Sequence, residues 1–93
     1  MFSLQFGIIL AMGERSKIKI IRETFGLAVR KRRHKLNLSQ EDFAEKADIH
    51  RTYVSQIELG KVDVSISVAY KLAEALKISL SKLFKEAERG IRN

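Results

Sequence analysis

The chain has 93 residues with no cysteine, proline or tryptophan, and its 18 Lys and Arg against 11 Asp and Glu give a formal charge of +7. That length makes one domain with a modest core, and the missing cysteines exclude disulfides and thiolate metal sites. A pI near 10.0 favours a polyanionic partner, no apolar run approaches the roughly 20 residues of a membrane helix, and the lack of cysteine suits a cytoplasmic location, which is the one expected.

Residues 1–13 carry no charge, and Phe2, Leu4, Phe6, Ile8, Leu10 and Met12 repeat with period two. That alternation predicts an extended arm. The segment lacks the basic start of a signal peptide and the Lys and Arg of a DNA-wrapping arm. Two readings stand. One is a leader ahead of Met12; the other is an arm that packs on the domain, on a dimer mate or on a protein partner.

Glu14–Glu23 mixes charge with Ile18, Ile20 and Ile21 and predicts a helix able to run into the next segment. That next helix is expected over Thr24–Leu36, with Phe25, Val29 and Leu36 inward. The run Arg30-Lys31-Arg32-Arg33-His34-Lys35 overlays its outer face. Like charges at this density weaken a helix slightly, so a phosphate backbone is the more economical reason for them, with Arg30 the candidate contact.

Leu38–Gly60 is the most informative stretch. Ser39 is a good N-cap with Asp42 three residues on, Phe43, Ala44 and Ala47 share a face, and Asp48 tolerates the left-handed conformation that ends a helix. A second helix is expected from near His50 to Gly60. At 100° per residue Tyr53, Val54 and Ile57 point to one side, and Arg51, Thr52, Ser55, Gln56 and Leu59 to the other. The outer set is rich in side chains that read base edges, where a merely solvated face would carry Glu and Lys pairs. A polar loop, 61–64, then leads to Ser65 as N-cap of a helix over Ile66–Lys77, with Ala69, Leu72, Ala73 and Leu76 inward. Ser79 caps a last helix carrying Leu80, Leu83 and Phe84. Glu86–Asn93 is polar and expected to fray. The organisation expected is an apolar segment 1–13, a domain 14–88 and a polar tail 89–93.

Ser39-Gln40-Glu41-Asp42-Phe43-Ala44, then Ile49, then the run from Arg51-Thr52-Tyr53-Val54-Ser55-Gln56 through Ile57-Glu58-Leu59-Gly60-Lys61, resembles the Cro/CI-type (XRE-family) helix-turn-helix. Ser65-Ile66, Lys71-Leu72-Ala73, Ala75-Leu76, Ser79-Leu80 and Leu83-Phe84 are similar to that family's last two helices. The resemblance covers about residues 25–84. It implies an all-α, five-helix lambda-repressor-like DNA-binding domain with an extra N-terminal segment. It also implies a homodimeric, repressor-like regulator that binds a double-stranded operator. Arg51, Thr52, Ser55 and Gln56 carry over as base readers. Gln40, Tyr53 and Lys61 carry over as phosphate contacts, and Arg33 with Glu58 as an ion pair tying the first long helix to the recognition helix. Family members commonly dimerise through the last two helices, which makes Val68, Tyr70, Ile78, Leu80 and Phe84 candidates, although Ile78, Leu83 and Phe84 are better explained as core. The order Arg51–Ser55 is also similar to controller proteins of restriction–modification systems, but it occurs widely in the family. Arg32 and Ala69 depart from the pattern, which commonly has larger apolar residues there.

Chemistry of other kinds finds no support. His34 and His50 share no metal-ligand spacing, and no glycine-rich phosphate loop or strained nucleophile turn is present. The expectation is a protein with no enzymatic activity, cofactor or metal. The rival from another class is an antitoxin-like interaction module that docks a protein partner through residues 2–12. A weaker one is non-specific nucleic-acid binding through charge alone.

Overall fold

In a computed structural model, residues 11–92 are described; the expected extended arm and its docking role fall largely on residues outside them. Five helices make up the described residues: α1 (Glu14–Lys35), α2 (Gln40–Ala47), α3 (Arg51–Glu58), α4 (Ile66–Ala75) and α5 (Leu80–Arg92). The connections are short, and most helix boundaries are closed by a capping hydrogen bond or a left-handed residue.

Three serines start helices. The Ser39 hydroxyl accepts from the Asp42 N–H at 3.0 Å, Ser65 from Val68 at 3.1 Å and Ser79 from Lys82 at 3.1 Å. Each satisfies one of the N–H groups that a helix start leaves without a partner. Four residues in left-handed conformation stop helices: Asn37, Asp48, Gly60 and Lys77, with φ of 57, 56, 71 and 58°. At each, two backbone bonds close back over the final turn, as in Ile49 N–H to Ala44 O (3.0 Å) and Lys61 N–H to Gln56 O (3.0 Å). This is the Schellman arrangement. In three cases the residue that follows (Leu38, Ile49 or Ile78) packs against the core.

The core is a single cluster. Val29 of α1, Phe43 of α2, Val54 and Ile57 of α3, Leu72 and Leu76 of α4 and Leu83 of α5 are all but fully buried. Burying each such side chain stabilises the fold by about 1.5–3 kcal/mol. The 3.6-residue repeat thus identified the inward faces of α2, α3 and α4.

As the sequence pattern allowed, Glu14–Glu23 and Thr24–Lys35 form one unbroken helix, and Leu36 follows it as a half-buried cap. Three other expectations need correction. The fourth helix ends at Ala75, because Lys77 turns left-handed so that Ile78 can reach the core. The C-terminal stretch does not fray at Glu86. Instead α5 continues to Arg92, with Ala87 buried and Gly90 close enough to α1 that a Cβ there would sit 3.4 Å from Thr24. A boundary between residues 88 and 89 therefore cuts through a helix. Phe84, expected to close the core, is 37% exposed, with its ring 6.0 Å from that of Phe25. The long α1 supplies the surface that orders the end of α5, which explains the last two differences.

Candidate nucleic-acid interface

The site is built around α3, whose eight residues are too few to hold a helix by themselves. Three devices fix it. Gly26 lies buried in the middle of α1 where the α3 backbone crosses. A Cβ at that position would overlap the Ile57 carbonyl oxygen and lie 2.8 Å from that of Glu58. The close approach is available to glycine alone.

The second device is a buried ion pair. Arg33 Nε donates to Glu58 Oε2 at 2.6 Å and Nη2 to Oε1 at 2.9 Å, with side-chain exposures of 8% and 3%. Arg33 Nη1 also donates to the Leu38 carbonyl at 2.8 Å, and the Gln40 amide donates to Glu58 Oε1 at 3.1 Å. Two charged groups thus join α1, the α1–α2 connection, the start of α2 and the end of α3. Two-point geometry of this kind is stronger and more directional than a single contact.

The third device holds the loop after α3. Arg22 donates to both carboxylate oxygens of Asp63 at 2.7 and 2.9 Å, and the Tyr53 hydroxyl donates to the Asp63 carbonyl at 3.4 Å. The two Arg22 bonds, aided by the guanidinium charge, hold the Asp63 carboxyl below its ordinary range. Gly60 begins this loop in left-handed conformation, and a side chain there would strike Glu23, whose Cα is 2.8 Å from the Cβ position.

What α3 then presents is polar. Arg51, Thr52 and Gln56 are exposed and Ser55 is half-buried, while Leu59 adds an exposed apolar edge. Arg51 Nε lies 3.9 Å from Glu41 Oε1 at the start of α2, with both side chains open to solvent. Lys61, on the loop held by Arg22, is exposed, and Tyr53 is half-buried with its hydroxyl at the rim. Gln40 stands at the N-terminus of α2. Glu41 and Asp42 share that turn, and their charges offset the positive end of the helix dipole there.

The basic run of α1 is divided among different tasks. Arg30 is exposed and lies about 40° round the helix from Gly26, on the side that carries α3. Arg33 is buried in the ion pair. Arg32 turns to the end of α4, donating from Nε to the Leu76 carbonyl at 2.9 Å and from Nη2 to that of Lys77 at 3.4 Å. Lys31 and Lys35 face α5. The run therefore does not lie on a single face: of its five Lys and Arg residues, Arg30 is the one exposed on the side of α1 that carries α3.

Arg22–Asp63, Gly26 and the helix-ending role of Arg32 were missing from the sequence reading. Gly26 did carry a signal, since a glycine in a helix interior costs stability unless close packing needs it. Arg32 carried another, standing where the resembled family has an apolar residue.

With this geometry in view, a helix-turn-helix family model matches residues 29–83. The chain is 44% identical over 70 residues to the Control protein C.MunI of Mycoplasma sp, covering 74% of this chain and 95% of that protein. The structure is similar to the clp gene regulator ClgR from Corynebacterium glutamicum, with a TM-score of 0.74 at 27% identity over 76% of each chain. It is also similar to the restriction-modification controller protein C.AhdI from Aeromonas hydrophila. There the TM-score is 0.65 at 37% identity, covering 67% of this chain and 94% of that one.

Proposed function

The chain belongs to the XRE family of helix-turn-helix transcriptional regulators, and from that premise we propose that it is a homodimeric, repressor-like reader of operator DNA. In this reading α3 lies in the major groove. Arg51 reads a guanine edge, Gln56 an adenine edge, and Thr52 and Ser55 the neighbouring pairs. Arg30, Gln40, Tyr53 and Lys61 hold the flanking phosphates and fix the register without reading sequence. The observation that carries the proposal is the exposed polar face of Arg51, Thr52 and Gln56 on a helix locked in place by the Arg33–Glu58 pair. A rigid helix with a base-reading face is what groove recognition requires. A protein binding through charge alone would need neither.

Dimerisation through α4 and α5 is supported by apolar side chains left open to water: Ile66 and Tyr70 of α4 are 68% and 54% exposed, and Phe84 of α5 is 37% exposed. Two copies related by a two-fold axis would present two α3 helices to half-sites about one helical turn, ~34 Å, apart. The regulated genes would be those of a restriction–modification system, as the C.AhdI structure's description as a restriction-modification controller suggests for that protein. Such DNA lies in the cytoplasm.

Selecting sites from a random duplex pool at two salt concentrations tests the proposal. The expected result is an enriched inverted repeat at both. No enriched sequence, together with binding that vanishes at the higher salt, would reduce the protein to a basic module.

A further inference from the structure

A groove of about 470 Å³ runs between α1 and α5, and nothing in the proposed DNA contact uses it. Its floor is apolar: Leu27, Ala28, Ile78 and Leu83. Leu27 is 46% exposed, although it sits in the middle of the longest helix. Lysines rise on both sides, Lys31 and Lys35 from α1 and Lys82 from α5. Arg89 also borders the groove but pairs with Glu86 at 3.6 Å, which neutralises the one carboxylate there. No ion pair among the described residues occupies the three lysines.

Leu27, Lys31 and Lys35 fall between about 100° and 180° round α1 from Gly26, where α3 packs. The groove therefore faces away from α3, and a duplex lying along α3 leaves it open. From Thr24 to Lys35 it extends about 17 Å, or three helical turns.

We infer that this groove docks an acidic amphipathic helix of a partner protein. Such a helix would set apolar side chains spaced i, i+3/i+4 and i+7 on Leu27 and Ile78, and place Asp or Glu against Lys31, Lys35 and Lys82. Three other occupants fit less well. A phosphate backbone has no use for the apolar floor. An uncharged segment, such as this chain's own residues 2–10, would cover the lysines without a counter-charge and incur their desolvation cost. A second copy of the chain, meeting this face about a two-fold axis, would set the lysines of one rim near those of the other. The acidic amphipathic helix satisfies both the floor and the rim. Because α3 is not involved, the inference stands or falls separately from the reading of operator DNA.

The test uses the full chain and a fluorescein-labelled peptide of about 14 residues with leucines on one helical face and glutamates on the other. Fluorescence anisotropy should show saturable binding. The triple change Lys31→Glu, Lys35→Glu and Lys82→Glu should weaken it by about tenfold or more. Changing Lys19, Lys46 and Lys71 to Glu alters net charge equally and should weaken it less than about threefold. Leu27→Ser changes no charge and should still weaken binding, with circular dichroism verifying that each variant is folded. Equal losses in the two triple variants would overturn the inference, since charge alone would then explain binding. So would equally tight binding of a scrambled peptide whose leucines do not share a face. Loss of affinity for a random duplex in the first triple variant but not the second would also overturn it, by making the groove a phosphate contact.

Discussion

Replacing Glu58 with Gln probes how α3 is held. The substitution preserves shape but leaves the Arg33 guanidinium, 8% exposed, facing a neutral amide where two charged bonds of 2.6 and 2.9 Å had been. Removing one partner of a buried pair costs about 3–5 kcal/mol, mostly through the charge left behind. Gln can still accept one hydrogen bond, and the Arg33 bond to the Leu38 carbonyl persists, so the expected loss is near the lower limit, about 3 kcal/mol. Against a total stability of about 5–15 kcal/mol that is a large fraction. In a domain of this size it lowers the melting temperature by about 12–24 °C. Urea unfolding measures the loss directly. The double variant Arg33→Met with Glu58→Leu should recover most of it, because an apolar pair of similar volume needs no counter-charge. A Glu58→Gln protein within about 0.5 kcal/mol of the parent, the range of an ordinary surface change, would refute the reasoning.

Three further outcomes are expected. Gly26→Ala drives a methyl into the Ile57 and Glu58 carbonyls and should cost at least about 2 kcal/mol by calorimetry, though alanine is the better helix former; a neutral or stabilising effect would contradict the close α1–α3 contact. The Asp63 carboxyl is held low by Arg22, so the fold favours its ionised form. The stability it adds is complete above the ordinary carboxylate range and disappears as pH falls through the lowered value. The melting-temperature gap between parent and Asp63→Asn should therefore close on acidification, and a gap independent of pH would count against the clamp. Gln40→Ala should weaken specific and scrambled duplexes alike in a mobility-shift titration, because a phosphate contact carries no base information; a loss confined to the specific duplex would contradict that role and point to the Gln40–Glu58 bond or to base reading.

Much of this architecture was legible because its causes are local. Ser39, Ser65 and Ser79 announce helix starts, Asp48 and Gly60 announce ends, and the spacing of Phe43, Ala44 and Ala47 or of Leu72, Ala73 and Leu76 marks inward faces. What stayed hidden depends on residues distant in the chain. Nothing near Arg32 shows that its guanidinium closes a helix 44 positions later, and nothing near Arg22 points to Asp63, 41 positions away. Lys77 is left-handed only because Ile78 has core to reach. The polar composition of Glu86–Asn93 suggested fraying, yet Ala87 is buried and Gly90 lies close to Thr24 of the long α1. The division of the basic run follows the same rule. Helical spacing sends Arg30, Lys31, Arg32 and Arg33 in four directions, and only the neighbours in space decide what each one meets.

Affinity of the parent and of Arg51→Ala for the selected duplex and for a scrambled one, at fixed salt, tests most directly whether α3 reads bases. The expected result is a loss of about 1–3 kcal/mol on the selected duplex, with specificity blurred at one position, and little change on the scrambled one. Equal losses on both would mean that Arg51 contributes charge and no base information, contradicting groove reading by α3.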